Sequence, residues 1–90
     1  NGAVRPLDEE GACEMKRLYV MPEYRGRGIG QALASAIIKK ARTLGYNTMR
    51  LDTVASMTAA RRLYRSLAFE ERDAYYHNPL PNAVYMERAL

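Results

Sequence analysis

Apolar positions change their period several times along this 90-residue chain, and each change marks an element. Residues 13–20, CEMKRLYV, alternate apolar and polar through Cys13 and Met15, then resume at Leu18 and Val20. Lys16 and Arg17 both intervene, and that extra residue in a period of two predicts a strand carrying a β-bulge. Pro22 ends the strand. From Ile29 the apolar positions Leu33, Ala36, Ile37, Ala41 and Leu44 recur at helical spacing, with Gly45 placed to close the helix. TMRLDTV, residues 48–54, reads as a second long strand. Ala60, Leu63, Tyr64 and Leu67 then give a shorter helical stripe with Ser56 as its N-cap. FEERDAYY and AVYMERAL (residues 69–76 and 83–90) are strand-like and flank HNPLPN, whose prolines and asparagines make it a loop.

The predicted order is strand, helix, strand, helix, strand, strand, an α/β class with a mixed sheet and no internal repeat. A strand-helix-strand unit of this length needs parallel strands and a crossover. The last two strands read as an antiparallel hairpin. Ahead of all this, NGAVRPLDEEG reads as a short strand running into a turn. The chain starts at Asn1 without an initiator methionine and looks shortened at its front.

A 48% hydrophobic content is that of an ordinary globular chain, and 90 residues suit one small domain, here residues 1–90, with a thin core. No apolar run has the length of a membrane span. A lone Cys13 excludes an internal disulfide framework, and a lone His77 argues against a protein-only zinc site or a Ser-His-Asp triad. These absences favour a reduced, cytoplasmic setting with no metal. The net charge of +4 makes anionic partners plausible. Lys39, Lys40, Arg42, Arg61, Arg62 and Arg65 read as solvated helix surface. Arg17, Arg25 and Arg27 instead bracket YRGRGIG, residues 24–30.

That stretch places Gly26, Gly28 and Gly30 where the first helix must begin. Successive amides at a helix start, aided by the helix dipole, bind anions, and the arginines add charge-assisted donors. The expectation is a phosphate or pyrophosphate cradle; a glycine-rich turn with solvated arginines is the plainer alternative. The spacing G-x-G-x-G fails the dinucleotide fingerprint, and Gln31 and Ala32 after Gly30 fail the P-loop pattern.

The stretch LYVMPEYRGRGIGQAL resembles motif A of the GNAT acetyltransferase superfamily, whose signature [RQ]-x-x-G-x-[GA] reads here from Arg25 to Gly30 behind Val20, Met21 and Pro22. Residues 57–69, MTAARRLYRSLAF, resemble motif B, N-x-x-A-x-x-L-Y-x-x-x-G-F. YYHNPLPNAVYMERAL is similar to the end of one bacterial branch of the family. The resemblance spans about residues 10–90 and implies a partial GNAT fold whose N-terminal elements are missing.

The resemblance implies acetyl-coenzyme A (acetyl-CoA) lying between two splayed parallel strands, with an amine attacking the thioester directly. It implies a pyrophosphate held by the amides around Arg25, Gly26, Arg27, Gly28, Ile29 and Gly30, with Gln31 adjoining. Main-chain groups of Leu18 and Val20 would align the pantetheine arm, and Leu18 would also polarise the acetyl carbonyl. Tyr64 matches the family's proton donor to the departing thiolate; a core tyrosine on the helix stripe is its alternative. Glu14 stands where some members place a base, against a plain strand glutamate on a solvent face. Cys13 reads as a small buried side chain, His77 as an exposed loop residue, and Tyr75, Tyr76 and Tyr85 as lining the core or an acceptor cleft.

Two positions depart from the pattern. Met57 replaces motif B's asparagine, and Ala68 replaces its glycine, which costs about 1 kcal/mol if the turn there needs a positive φ. Family domains also carry strands and helices ahead of motif A that build the acceptor pocket. The chain is then either a fragment of a working acetyltransferase or a short protein that completes its fold by pairing, and a homodimer is expected on either account. The leading expectation is an N-acetyltransferase acting on an amine. Its competitors are a non-catalytic coenzyme A (CoA) binding module and, weakly supported, a nucleic-acid-binding domain.

Overall fold

The computed structural model describes residues 4–16 and 28–90. The elements run β1 (Val4–Pro6), β2 (Ala12–Met15), α1 (Ile29–Thr43), β3 (Thr48–Val54), α2 (Thr58–Ser66), β4 (Glu70–Arg72) and β5 (Ala83–Ala89). Among the described residues they make one five-stranded sheet of order β1-β2-β3-β5-β4. β2 and β3 are parallel; every other neighbouring pair is antiparallel. The expected α/β class and mixed sheet are what the chain forms. No described helix is long and apolar enough to cross a membrane.

Side chains alternate across a strand, so the register divides the sheet into two unlike faces. Cys13 lies opposite Met49, and Leu51 opposite Met86. These four and Met15 meet Ala34, Ile38 and Ala41 of α1, Tyr64 of α2, and Phe69 in one buried cluster. Glu14 opposite Arg50, Arg50 opposite Glu87, and Asp52 opposite Tyr85 make up the other face. That face is charged, and no helix among the described residues covers it.

α1 begins at Ile29 as its periodicity predicts, but its buried stripe is Ala34, Ile38 and Ala41. Of the predicted stripe, Ala41 is buried and Ile37 packs against the core, whereas Leu33 and Leu44 are 44% and 58% exposed and Ala36 is exposed. The small Ala34 and Ala41 let the helix lie close to the sheet, and ranking by hydrophobicity puts the larger Leu33 ahead of them. Leu44 is the C-cap and Gly45 follows at φ 94. The Gly45 amide donates to the Arg42 carbonyl at 3.0 Å and the Tyr46 amide to the Ala41 carbonyl at 3.1 Å. Those two bonds form a Schellman motif, which needs the left-handed backbone that glycine adopts freely.

α2 closes the same way without a glycine. The Ala68 amide donates to Arg65 and the Phe69 amide to Tyr64, both at 3.0 Å, with Ala68 at φ 71. The strain expected from alanine at this position is therefore present. At the other end of α2, Ser56 is not the N-cap. Met57 holds that position and supplies no side-chain cap. The Ser56 carbonyl instead accepts the Thr58 amide at 3.0 Å, which uses Ser56 in the turn ahead of the helix.

β4 and β5 pair as predicted, and β5 inserts between β3 and β4. β4 stops at Arg72, short of the predicted strand over residues 69–76. Tyr75 and Tyr76 leave the ladder because their rings pack edge-on against Tyr85, at centroid distances of 5.4 and 5.7 Å. The predicted bulge beyond Met15, and Pro22, lie outside the described residues.

Candidate functional site

A helix connecting two parallel strands runs back against them, so its N-terminus lies at their carboxyl ends. α1 therefore starts, and β2 and β3 finish, at one end of the sheet. Gly28 caps α1 at φ 74 and ψ 5, and no acidic residue occupies the first turn. The first bond within the helix runs from the Ala32 amide to the Gly28 carbonyl at 3.0 Å. The amides of Ile29, Gly30 and Gln31 thus have no acceptor within the helix, and they sit at its positive end. A Cβ on Gly28 would meet nothing among the described residues within 4 Å. The other residues expected to hold a cofactor, Leu18, Val20, Arg25, Gly26 and Arg27, lie outside the described residues.

Among the described residues the β2–β3 register runs from Ala12 opposite Thr48 to Glu14 opposite Arg50, and β3 is paired with β5 as far as Val54 opposite Ala83. Beside residues 51–54, the carboxyl-terminal part of β3, lies a cleft of about 540 Å3. Its described walls are Met15 and Lys16, residues 51–54, Met57 and Tyr64 of α2, and Asn78 and Leu80.

Tyr64 is 8% exposed and meets Phe69 edge-on at 5.9 Å. Burial, with the Asp52 carboxylate as a second cause, pushes its phenol above the usual tyrosine range. At neutral pH it is a proton-bearing hydroxyl in the wall of the cleft. Met57 is 53% exposed and accepts a long bond to Sδ from the Thr53 hydroxyl at 3.7 Å.

Glu14 lies on the charged face and is 2% exposed, so the reading as a solvent-facing strand glutamate fails. Its Oε1 pairs with Arg5 Nη2 at 3.1 Å, and its Oε2 accepts the Tyr75 hydroxyl at 2.6 Å. Burial and the Glu14 bond push the Tyr75 phenol far up. In the same row on the neighbouring strands, Arg50 Nε donates to Glu87 Oε1 at 2.7 Å, and Arg72 Nη1 donates to the same oxygen at 2.6 Å. Arg50 Nη2 also reaches Glu9 at 2.8 Å. Burial opposes the charge on Arg50, but its bonds to Glu87 and Glu9 outweigh it and raise the guanidinium's pKa. Both guanidiniums stand 5.7 Å from the Tyr75 ring centroid, at cation–π distance.

Asp52 links this face to the cleft. It lines the cleft and accepts both the Tyr76 hydroxyl and Asn78 Nδ2, the latter at 2.6 Å. The loop is braced further by Tyr85, whose hydroxyl donates to the Tyr76 carbonyl at 2.8 Å and accepts the Asn78 amide at 3.2 Å. The structure thus sets Tyr64 and Glu14 on opposite faces of the sheet, with Asp52 and its loop partners between them. The roles of Arg50 and Asp52 were missed in the sequence, although their alternation with Met49 and Leu51 signals a second, polar face. Cys13 is fully buried, which pushes its thiol up to about 11, and His77 is exposed.

Comparison with known proteins gives these features a family. The model of the acetyltransferase (GNAT) family matches residues 2–69. An uncharacterised N-acetyltransferase of Schizosaccharomyces pombe is 51% identical over 84 residues, covering 93% of this chain and 52% of the relative. A Klebsiella pneumoniae protein assigned as an acyl-CoA N-acyltransferase superposes with a TM-score of 0.85 at 40% identity, covering 93% of this chain and 59% of that one. A phosphinothricin acetyltransferase of Sinorhizobium meliloti, solved with acetyl-CoA, has a TM-score of 0.75 at 28% identity, covering 89% of this chain and 45% of that one. The chain belongs to the GNAT acetyltransferase family. It spans about half the length of the S. pombe relative.

Proposed function

We propose that this chain binds acetyl-CoA at the carboxyl ends of β2 and β3 and transfers the acetyl group to an amine. The observation that carries the reading is the start of α1. Three amides without helical acceptors follow a left-handed glycine cap, at the sheet end where a cleft opens beside β3. The pyrophosphate lies on the amides of Ile29, Gly30 and Gln31, together with the flanking Arg25 and Arg27. Leu18 and Val20 align the pantetheine arm. The amine nitrogen attacks the thioester carbonyl, the C–N bond forms and the C–S bond breaks. Tyr64 gives its proton to the departing thiolate, and Glu14 receives the proton lost by the amine, directly or through water.

The engagement of Glu14 by both Arg5 and Tyr75 favours a second reading, a module that binds CoA and does not turn it over. Titration calorimetry with acetyl-CoA, followed by thiol release with a panel of amines, separates the two. Binding with release supports transfer, and binding without release supports the module. Absence of binding overturns both. We also assign a homodimer, joined through β1, which lies at the edge of the sheet. Light scattering that detects only monomer at high concentration would overturn that assignment.

A further inference from the structure

We propose that Lys16 is an acetylation site of this chain, modified by the acetyl-CoA bound to the same molecule. The inference rests on the acetyl-transfer reading and adds to it an amine that the protein itself supplies. Lys16 directly follows β2 and lines the cleft of about 540 Å3 beside β3, together with Asp52 of β3 and Tyr64 of α2. The reading places the thioester at this end of the sheet, so the Lys16 amine shares a cleft with the carbonyl it would attack.

The surroundings of Lys16 suit that role. Its side chain is 38% exposed, and Nζ stands 4.0 Å from Glu14 Oε1. Glu14 is the carboxylate assigned to take the acceptor's proton, and at this distance the transfer runs directly or through one water. The same oxygen is held by Arg5 Nη2 at 3.1 Å, and the other by the Tyr75 hydroxyl at 2.6 Å. Glu14 therefore keeps its closer partners when Lys16 loses its charge, and a long, part-exposed pair of this kind adds little to stability.

Nζ gives one proton to Glu14, and the neutral nitrogen attacks the thioester carbonyl. The C–N bond forms, the C–S bond breaks, and Tyr64 protonates the departing thiolate. The second proton leaving nitrogen restores the Tyr64 phenol. The products are an uncharged acetyl-lysine, the CoA thiol and a proton passed from Glu14 to solvent.

The sequence contains three lysines, and the other two are internal controls. Lys39 and Lys40 are exposed on α1. Lys39 stands roughly 15 Å along the helix axis from Ile29, where the pyrophosphate is assigned. Exposure favours Lys39 and Lys40 as targets of a free reagent, whereas position favours Lys16 as the target of bound acetyl-CoA.

The test incubates the wild-type chain with saturating acetyl-CoA and follows each lysine by peptide mass spectrometry, with acetic anhydride as the unbound acetyl donor. With acetyl-CoA, Lys16 should be labelled roughly tenfold or more faster than Lys39 or Lys40, at a rate independent of protein concentration. With the anhydride that preference should vanish. A double variant, Lys39→Arg with Lys40→Arg, should still gain one acetyl group at Lys16 at the wild-type rate, and Lys16→Arg should lose this fast step. Equal labelling of the three lysines by acetyl-CoA, a Lys16 preference that persists with the anhydride, or a rate that rises with protein concentration each overturns the proposal. Acetyl-CoA affinity and thiol release with small amines, measured on the same sample, report on the acetyl-transfer reading separately. Binding and release without labelling of Lys16 would overturn this inference alone.

Discussion

The hydroxyl of Tyr75 reaches Glu14 at 2.6 Å across 61 positions of sequence, tying the loop after β4 to the second strand of the sheet. A buried carboxylate that loses a donor retains its desolvation cost, which is about 1–3 kcal/mol for such a group. Tyr75→Phe is therefore expected to destabilise the fold by about 1 kcal/mol or more, read by urea denaturation. It should also slow acetyl transfer while sparing acetyl-CoA affinity. Unchanged stability would mean that the bond does not hold in solution.

Ala68 occupies a backbone position at φ 71 that costs a side chain about 1–2 kcal/mol, and Gly45 occupies the equivalent place in α1 without that cost. Ala68→Gly should stabilise the protein by about 1 kcal/mol, reduced by the added flexibility of the unfolded chain. Gly45→Ala should destabilise it by a similar amount. Denaturant midpoints of the two variants moving in opposite directions would confirm the pairing.

Cys13 gives a pH signature. Its thiol is raised from 9.0 to about 11 by burial, so between those values the unfolded chain ionises and the folded one does not. The contribution is complete below pH 9 and fades as pH rises toward 11. The same burial predicts that Cys13 resists a thiol reagent at pH 8 in the native protein and reacts promptly in urea. Fast native labelling would contradict the burial.

Glu87 works in the opposite direction. The bond from Arg50, with that from Arg72 and against the effect of burial, holds it below its ordinary 4.5. The folded state then binds fewer protons than the unfolded state just below that pH. Its contribution is complete above about 4.5 and is lost as pH falls through the depressed value. Glu87→Gln should flatten this acid limb of the stability profile, measured by denaturation at successive pH values.

Much of the fold was legible because local patterns decide it. TMRLDTV coincides with β3, the periodicity from Ile29 with the start of α1, and Gly45 with its end. The buried face of α1 was legible only in part: Ala41 and Ile37 were read correctly, but packing against the sheet selects the small Ala34 over the larger Leu33. Ser56 looked like a cap because serine favours that role, yet the turn before α2 uses its carbonyl. The site divides along the same line. The glycine cap at Gly28 follows from residue type and spacing, whereas the pairing of Glu14 with Arg5 and Tyr75 depends on strands and loops distant in sequence. Position 14 alone does not distinguish a buried glutamate from an exposed one.

Tyr64→Phe separates binding from chemistry. The ring stays against Phe69, so acetyl-CoA affinity should be retained, while thiol release should fall roughly 100-fold or more for want of the proton donor. Loss of affinity and rate together would make Tyr64 a packing residue.

The central claim is that the start of α1 receives the pyrophosphate of acetyl-CoA, and a thermal shift on the wild type and Gly28→Glu tests it most directly. Acetyl-CoA and CoA should each raise the wild-type melting temperature, with ATP well behind. Gly28→Glu, which puts a negative charge at the cap and strains a backbone at φ 74, should remove the shift. A wild-type protein unmoved by either coenzyme, or a folded Gly28→Glu variant stabilised as much as wild type, would contradict the account.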